Sequence, residues 1–420
     1  VNLVRLACCL FVLLPELASA RYLQVLPPET QVRRALQSSP QIAASRDQLD
    51  VAVARRRQLG AGGYEWTLGA TGQRRTDPQG VPYNEQTYEI SRGLRLWGKA
   101  ALDRAIGSQT VAVGEYAFAD NWHEGSRALL SGWFEWLRAR RTLAVLQEQA
   151  KLVEQQLGTV NSRVRAGDAP ALEEQLARAE VDRQAAAVVA AERQQQEAAL
   201  RLQRLFPDLA LPDAVQIDTP EVLPGSDADW VGRILADNHE LLLAEGQREQ
   251  AVLTAQRVGR DRLPDPTVGV RYSPNFDGNR RVVGLTISVP LGGPARSAAY
   301  SASLAEASVA GQKAKDVSLK VETDARRATL MMRSTNLQWQ QLQQVASRNG
   351  SSAEAVAKGY SLGEFTVTEL LLARRQALEA DLGAALAQLD ALEAMARLQL
   401  DAHEIWISPD DAASLKNVSR

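Results

Sequence analysis

Apolar residues recur at alternating steps of three and four along two long stretches. In the first, Leu143, Leu146, Ala150, Val153, Leu157, Val160 and Val164 fall on one helical stripe; in the second, Leu378, Leu382, Ala385, Leu389, Leu392 and Ala396 do so. This spacing predicts coiled-coil seams between long helices. Proline usage agrees. Pro170 is the only proline between Lys99 and Phe206, and none occurs from Ala295 to Ser408. Proline inside a helix costs about 3 kcal/mol, so these stretches are free to stay helical. A helix over 99–166 would run about 100 Å at about 1.5 Å per residue. The chain is therefore expected to be elongated.

A second pattern has period two. Val268, Val270 and Tyr272 alternate with Gly269, Arg271 and Ser273, and Val283, Leu285, Ile287 and Val289 alternate with Gly284, Thr286 and Ser288. An earlier pair runs over 65–76, with Trp66, Leu68 and Ala70 on one face, and over 87–96, with Tyr88, Ile90 and Leu94. Polar turns join each pair. The predicted strands are about 65–76, 87–96, 267–276 and 280–290, each apolar on one face. Transmembrane β-barrels show this alternation, and so do soluble sheets with one wet face. Helices flank each hairpin and leave it no covering layer, which favours the membrane. Four strands cannot close a membrane barrel, which needs about eight, so several chains must share one.

The chain repeats itself once. Gly167-Asp168 before Leu176-Ala177-Arg178 matches Gly363-Glu364 before Leu372-Ala373-Arg374 at an offset of 196. Leu96 and Gly98 match Leu291 and Gly293 at 195, and Leu36 matches Leu235 at 199. These anchors divide the chain into a first repeat, 21–206, a proline-rich linker, 207–226, a second repeat, 227–403, and a tail, 404–420. Residues 1–20 read as a secretory signal: Arg5, an apolar run over 6–14, then Ala18-Ser19-Ala20 at a small-x-small cleavage pattern. Cys8 and Cys9 lie inside that run, which argues against a lipid anchor.

Composition narrows the classes further. Lys+Arg 48 against Asp+Glu 50 leaves a net charge of −2, so no basic surface calls for nucleic acid. No phosphate-cradling loop, nucleophile elbow or Cys/His metal spacing is present, which leaves no catalytic, cofactor or metal site to assign. His123, His239 and His403 fall on separate predicted helices and read as isolated residues.

In this order and spacing the residues resemble the TolC-like outer membrane factors. The resemblance rests on Arg34-Ala35-Leu36 with Pro40-Gln41-Ile42, on Leu94-Arg95-Leu96-Trp97-Gly98-Lys99, on Val289-Pro290-Leu291-Gly292-Gly293, and on Leu362-Gly363-Glu364 followed by Val367, Glu369, Leu370 and Leu371. The Leu-Trp-Gly-Lys junction looks most like the CzcC-type heavy-metal branch. The resemblance implies a mainly α fold with a β-barrel contribution. Three chains would share a twelve-stranded barrel in outer-membrane lipid, above a coiled-coil tunnel in the periplasm. Residues 207–226 and 404–420 would form a belt around its middle. It implies an exit duct working with a periplasmic adaptor protein and an inner-membrane RND-type pump, carrying heavy-metal cations. Drug efflux and type I protein secretion remain open, as does a periplasmic coiled-coil adaptor without a barrel.

The reversals carry the candidate functional residues. Gly167, Asp168, Gly363 and Glu364 would sit at the helical tips that meet the adaptor. Glu173 and Glu369, 196 residues apart and just past the turns, are candidates for an acidic ring closing the periplasmic mouth. Thr366-Val367-Thr368-Glu369 also spells a capping box, in which Glu369 would serve only its own helix.

Overall fold

A computed structural model describes residues 22–276 and 280–408. The expected signal sequence over 1–20, the end of the tail and part of the second hairpin turn lie outside the described residues. Eight helices and four strands follow in the order α1 (Glu29–Gln37), α2 (Pro40–Ala61), β1 (Trp66–Thr76), β2 (Pro82–Gly93), α3 (Lys99–Ala166), α4 (Ala171–Leu205), α5 (Asp227–Ala236), α6 (His239–Arg260), β3 (Thr267–Phe276), β4 (Arg280–Ser288), α7 (Pro294–Ser361) and α8 (Val367–Asp401). The two halves match in element order and in the length of their long helices. Helices α3 and α7 each have 68 residues, α4 and α8 each 35, and α2 and α6 each 22.

Helix α3 doubles back against α4 and α7 against α8, while α2 and α6 flank the sheet-proximal parts of α3 and α7. The seams keep strict heptads. On α7 the buried residues Ala325, Met332, Trp339, Ala346, Ala353 and Tyr360 recur every seventh position, as do Ala177, Gln184, Ala191 and Ala198 on α4. A seven-residue repeat with small side chains brings the helices close and winds them left-handedly. Gln184, buried on that seam, donates its Nε2 to the Leu146 carbonyl at 3.0 Å, so the polar group is satisfied.

The largest core lies at the waist. Trp122, Leu129, Trp133 and Phe134 of α3 pack with Leu389, Leu392 and Leu398 of α8 and with Trp230 and Ile234 of α5. Non-helical segments wrap this core. Leu209 is buried in it, and Leu211, Val215, Ile217 and Leu223 pack against it. Trp133 Nε1 donates to the Val25 carbonyl and Trp122 Nε1 to the Trp406 carbonyl, each at 2.9 Å.

All four strands form one antiparallel sheet in the order β1-β2-β3-β4. Register aligns Leu68, Ile90, Val270 and Leu285 across it, with Ala70, Tyr88, Tyr272 and Val283 as the next row. This apolar face is open: Leu68 is 79% and Leu285 84% exposed. The other face is polar, with Glu89 opposite Arg271, and Thr286 Oγ1 donating to Glu89 at 3.0 Å. A Cβ at Gly269 would meet Thr286 Oγ1 at 2.7 Å, so only glycine lets these strands sit so close. Strands β1 and β4 end the sheet, and their outer edges pair with nothing among the described residues. Strand β2 starts at Pro82, five residues before the expected Thr87, and stops at Gly93. Its first half is polar and hides the alternation, and a proline is tolerated at a strand's first residue.

The Leu-Trp-Gly-Lys junction locks the two halves together below the sheet. Gly98 takes a left-handed turn, and Lys99 runs inward to the Leu263 carbonyl at 2.8 Å and Asp265 at 3.0 Å. Among the described residues no helix is long and apolar enough to cross a membrane.

Candidate functional site at the helical tips

Both long hairpins reverse by the same backbone device. Gly167 N–H donates to the Val164 carbonyl and Asp168 N–H to the Arg163 carbonyl; Gly363 and Glu364 repeat this with Tyr360 and Gly359. This pairing closes a helix through a left-handed residue, and Gly167 and Gly363 have φ of 79° and 84°. Gly359 matters for another reason: a Cβ there would lie 2.4 Å from the Phe365 ring. The tips are exposed and apolar, with Leu172, Leu176, Leu362, Phe365 and Leu372 all reaching solvent.

The two equivalent glutamates meet different fates. Glu369 closes the capping box: Thr366 N–H donates to it at 2.7 Å, and Glu369 N–H donates back to Thr366 Oγ1 at 3.3 Å. The hydrogen bonds from the Thr366 backbone and side chain hold the Glu369 carboxyl below its usual range. The matching cap of α4 is Pro170, which has neither N–H nor hydroxyl to offer. Glu173 is thereby left to reach across to the other hairpin, where Tyr360 Oη donates to it at 2.8 Å.

That contact belongs to a clamp between hairpins. Tyr360 is buried with Val160, Ala177, Val367 and Leu370. The Arg163 guanidinium lies 4.5 Å from its ring centroid and donates to its carbonyl at 3.0 Å. Burial and the bond to Glu173 push the Tyr360 hydroxyl up to about 12, so it stays a donor at any physiological pH. Two turns up from Glu173, buried Glu180 of α4 accepts from Arg375 of α8 at 3.2 Å and from its neighbour Arg183. Burial opposes ionisation of Glu180, but the two guanidinium groups outweigh it and keep its carboxyl below the usual range.

The asymmetry is testable. Thr366→Ala should loosen the first turn of α8 by about 1 kcal/mol, read as faster hydrogen exchange over 366–370. Glu369→Gln should be nearly silent, because Gln also serves in a capping box. Equal damage from both would give the Glu369 carboxylate a task beyond capping.

Sequence reasoning placed the reversals and both glutamates but missed Tyr360, Arg163, Glu180 and Arg375. It also read the histidines as isolated, whereas the fold gathers all three at the waist. No helical pattern signals a contact made by residues so far apart in the chain.

No protein-family profile matches this sequence, and no curated protein sequence matches it. Solved structures do match. The outer-membrane channel OprN superposes with a TM-score of 0.78 at 16% identity, covering 92% of each chain. The CmeC outer membrane channel of Campylobacter jejuni gives 0.77 at 14%, covering 94% of this chain and 89% of its own. The chain has an outer-membrane channel fold. The MtrE outer membrane channel of Neisseria gonorrhoeae, solved in its open state, matches at 0.67 and 15%, covering 90% of this chain and 89% of its own. In that fold the paired long helices make the tunnel and the four strands contribute to the barrel.

Proposed function

We propose that the chain is the outer-membrane exit duct of a tripartite efflux assembly. The observation that carries this reading is the sheet: four strands, one apolar exposed face and two edges that pair with nothing among the described residues, standing on helices about 100 Å long. Such a face has no aqueous use at this size, and such edges invite another chain. Three copies would close a twelve-stranded barrel against outer-membrane lipid, with the helices extending as a tunnel into the periplasm.

The tips at Gly167, Asp168, Gly363 and Glu364 would receive a periplasmic adaptor protein, which joins the duct to an inner-membrane RND-type pump. Their exposed leucines and Phe365 supply apolar surface for that contact. Heavy-metal cations are the proposed cargo, on the resemblance of the Leu94–Lys99 junction to the CzcC-type branch. The clamp between Tyr360 and Glu173 is the proposed closing contact of the periplasmic mouth, and Glu173 and Glu369 together would give it an acidic lining.

Reconstitution tests the reading. Purified protein in a planar bilayer should give discrete conductance steps, and Glu173→Gln with Glu369→Gln should lower its cation selectivity. A protein that never conducts would contradict the duct. Unchanged selectivity would remove the acidic lining and leave the duct standing.

A further inference from the structure

All three histidines of this chain meet at one place. His123 lies on α3, His239 opens α6, and His403 follows the last turn of α8. Ring centroids are 4.8 Å apart for His239 and His403, 5.1 Å for His123 and His403, and 6.5 Å for His123 and His239. His123 and His239 are buried.

Charged groups face the rings from every packed element. Helix α3 brings Asp120, Glu124 and Arg127, and α6 brings Glu240, which pairs with Lys320 of α7 at 2.7 Å. Helix α8 brings Arg397 and Asp401, and beyond it Glu404 pairs with Arg233 of α5 at 2.7 Å. Asp401 is the hub. It accepts from His123 Nε2 at 3.3 Å, from Arg127 Nε at 2.9 Å and from Arg397 Nε at 2.9 Å. Burial works against ionising Asp401, but these donors outweigh it and hold its carboxyl well below the usual range. Among the described residues no group of three or more His, Cys, Asp or Glu is placed to hold a metal ion. His123 Nε2 is committed to Asp401 instead.

The segment leaving α8 is under backbone strain. His403 and Trp406 have φ of 56° and 55°, a left-handed geometry that non-glycine residues rarely adopt. Packing and hydrogen bonds hold it, including Trp122 Nε1 to the Trp406 carbonyl and Glu404 N–H to the Gln399 carbonyl at 2.8 Å.

We propose that the three histidines form an acid-sensitive joint, whose protonation releases the end of α8 and the segment after it from α3 and α6. Two imidazolium ions this close and this dry repel strongly. Burial pushes His123 below its ordinary value, and Arg127 and His239 add to the effect against Asp401. The native state then binds fewer protons than the unfolded chain, so stability falls as pH drops below about 6.5. Asp120 acts in the opposite sense. Burial, with Glu124 and Glu240 near, raises it to about 6, so it takes up a proton while still folded and offsets part of the loss. Asp401 stays ionised through this window. The strained segment is the part poised to move, since releasing it relieves two left-handed residues.

Hydrogen exchange on the full-length protein in detergent tests the joint. After correction for intrinsic rates, amides of 397–408 should exchange at least ~10-fold faster at about pH 5.5 than at about pH 7.5, with the sheet unchanged. His239→Gln with His403→Gln should flatten that response. Equal protection at both pH values, or a full response in the double variant, would overturn the proposal. Histidine titration of the unaltered protein by NMR gives a second reading, independent of how the variants fold. At least one ring should titrate below the ordinary histidine value with a curve coupled to the others, and three independent titrations at that ordinary value would overturn it.

Discussion

Tyr360→Phe should open the periplasmic mouth, raising the open-state population of the reconstituted protein roughly tenfold or more. The hydroxyl is buried, and its hydrogen bond to Glu173 at 2.8 Å joins one hairpin to the other. A hydrogen bond to a charged partner contributes roughly 1.5–3 kcal/mol, which is about 10- to 100-fold in the balance between joined and parted tips. Phenylalanine keeps the ring against Val160, Ala177, Val367 and Leu370 and under Arg163. Folding should therefore survive, and raised conductance beside at most a modest fall in thermal stability is the expected signature. Two links between the hairpins survive that change, Arg163 to the Tyr360 carbonyl and Arg375 to Glu180, and should hold the tips partly closed, so adding Arg375→Ala should increase conductance again. Conductance unchanged by Tyr360→Phe would show that the clamp does not close the mouth.

Leu285→Arg should cripple membrane insertion, while Ser288→Arg should be tolerated. Leu285 stands in the row with Leu68, Ile90 and Val270, 84% exposed and with no protein to cover it. An arginine on the lipid face near the bilayer midplane costs about 2–4 kcal/mol. Each copy in a shared barrel would carry that penalty. Ser288 lies on the opposite, polar face with Thr286, where a charge meets water. Refolding yield into lipid vesicles measures the difference. Equal tolerance at both positions would mean that the apolar face never meets lipid.

Much of this architecture was legible because it rests on repetition. The period-two stretches placed β3 and both faces of the sheet, and the alternating three-four steps placed α3 and α8 as coiled-coil helices. The two glycine reversals marked the ends of the hairpins. What stayed hidden was chemistry made by contact. The α7 seam alternates Ala, Met, Trp and Tyr at every seventh position, a run too mixed in size to stand out as a stripe. The fate of Glu173 turned on Pro170 standing where the other half has Thr366, a substitution whose meaning appears only once Tyr360 lies within reach. The histidines, at 123, 239 and 403, carry no local pattern at all, and only the folded waist brings them together.

The central claim is that one chain holds only part of a barrel and that three copies complete it. Native mass spectrometry of the detergent-extracted protein tests it most directly. A single species at three times the chain mass, dissociating only on unfolding, is the expected result; a monodisperse monomer that still carries its full β-sheet signal would contradict the shared barrel.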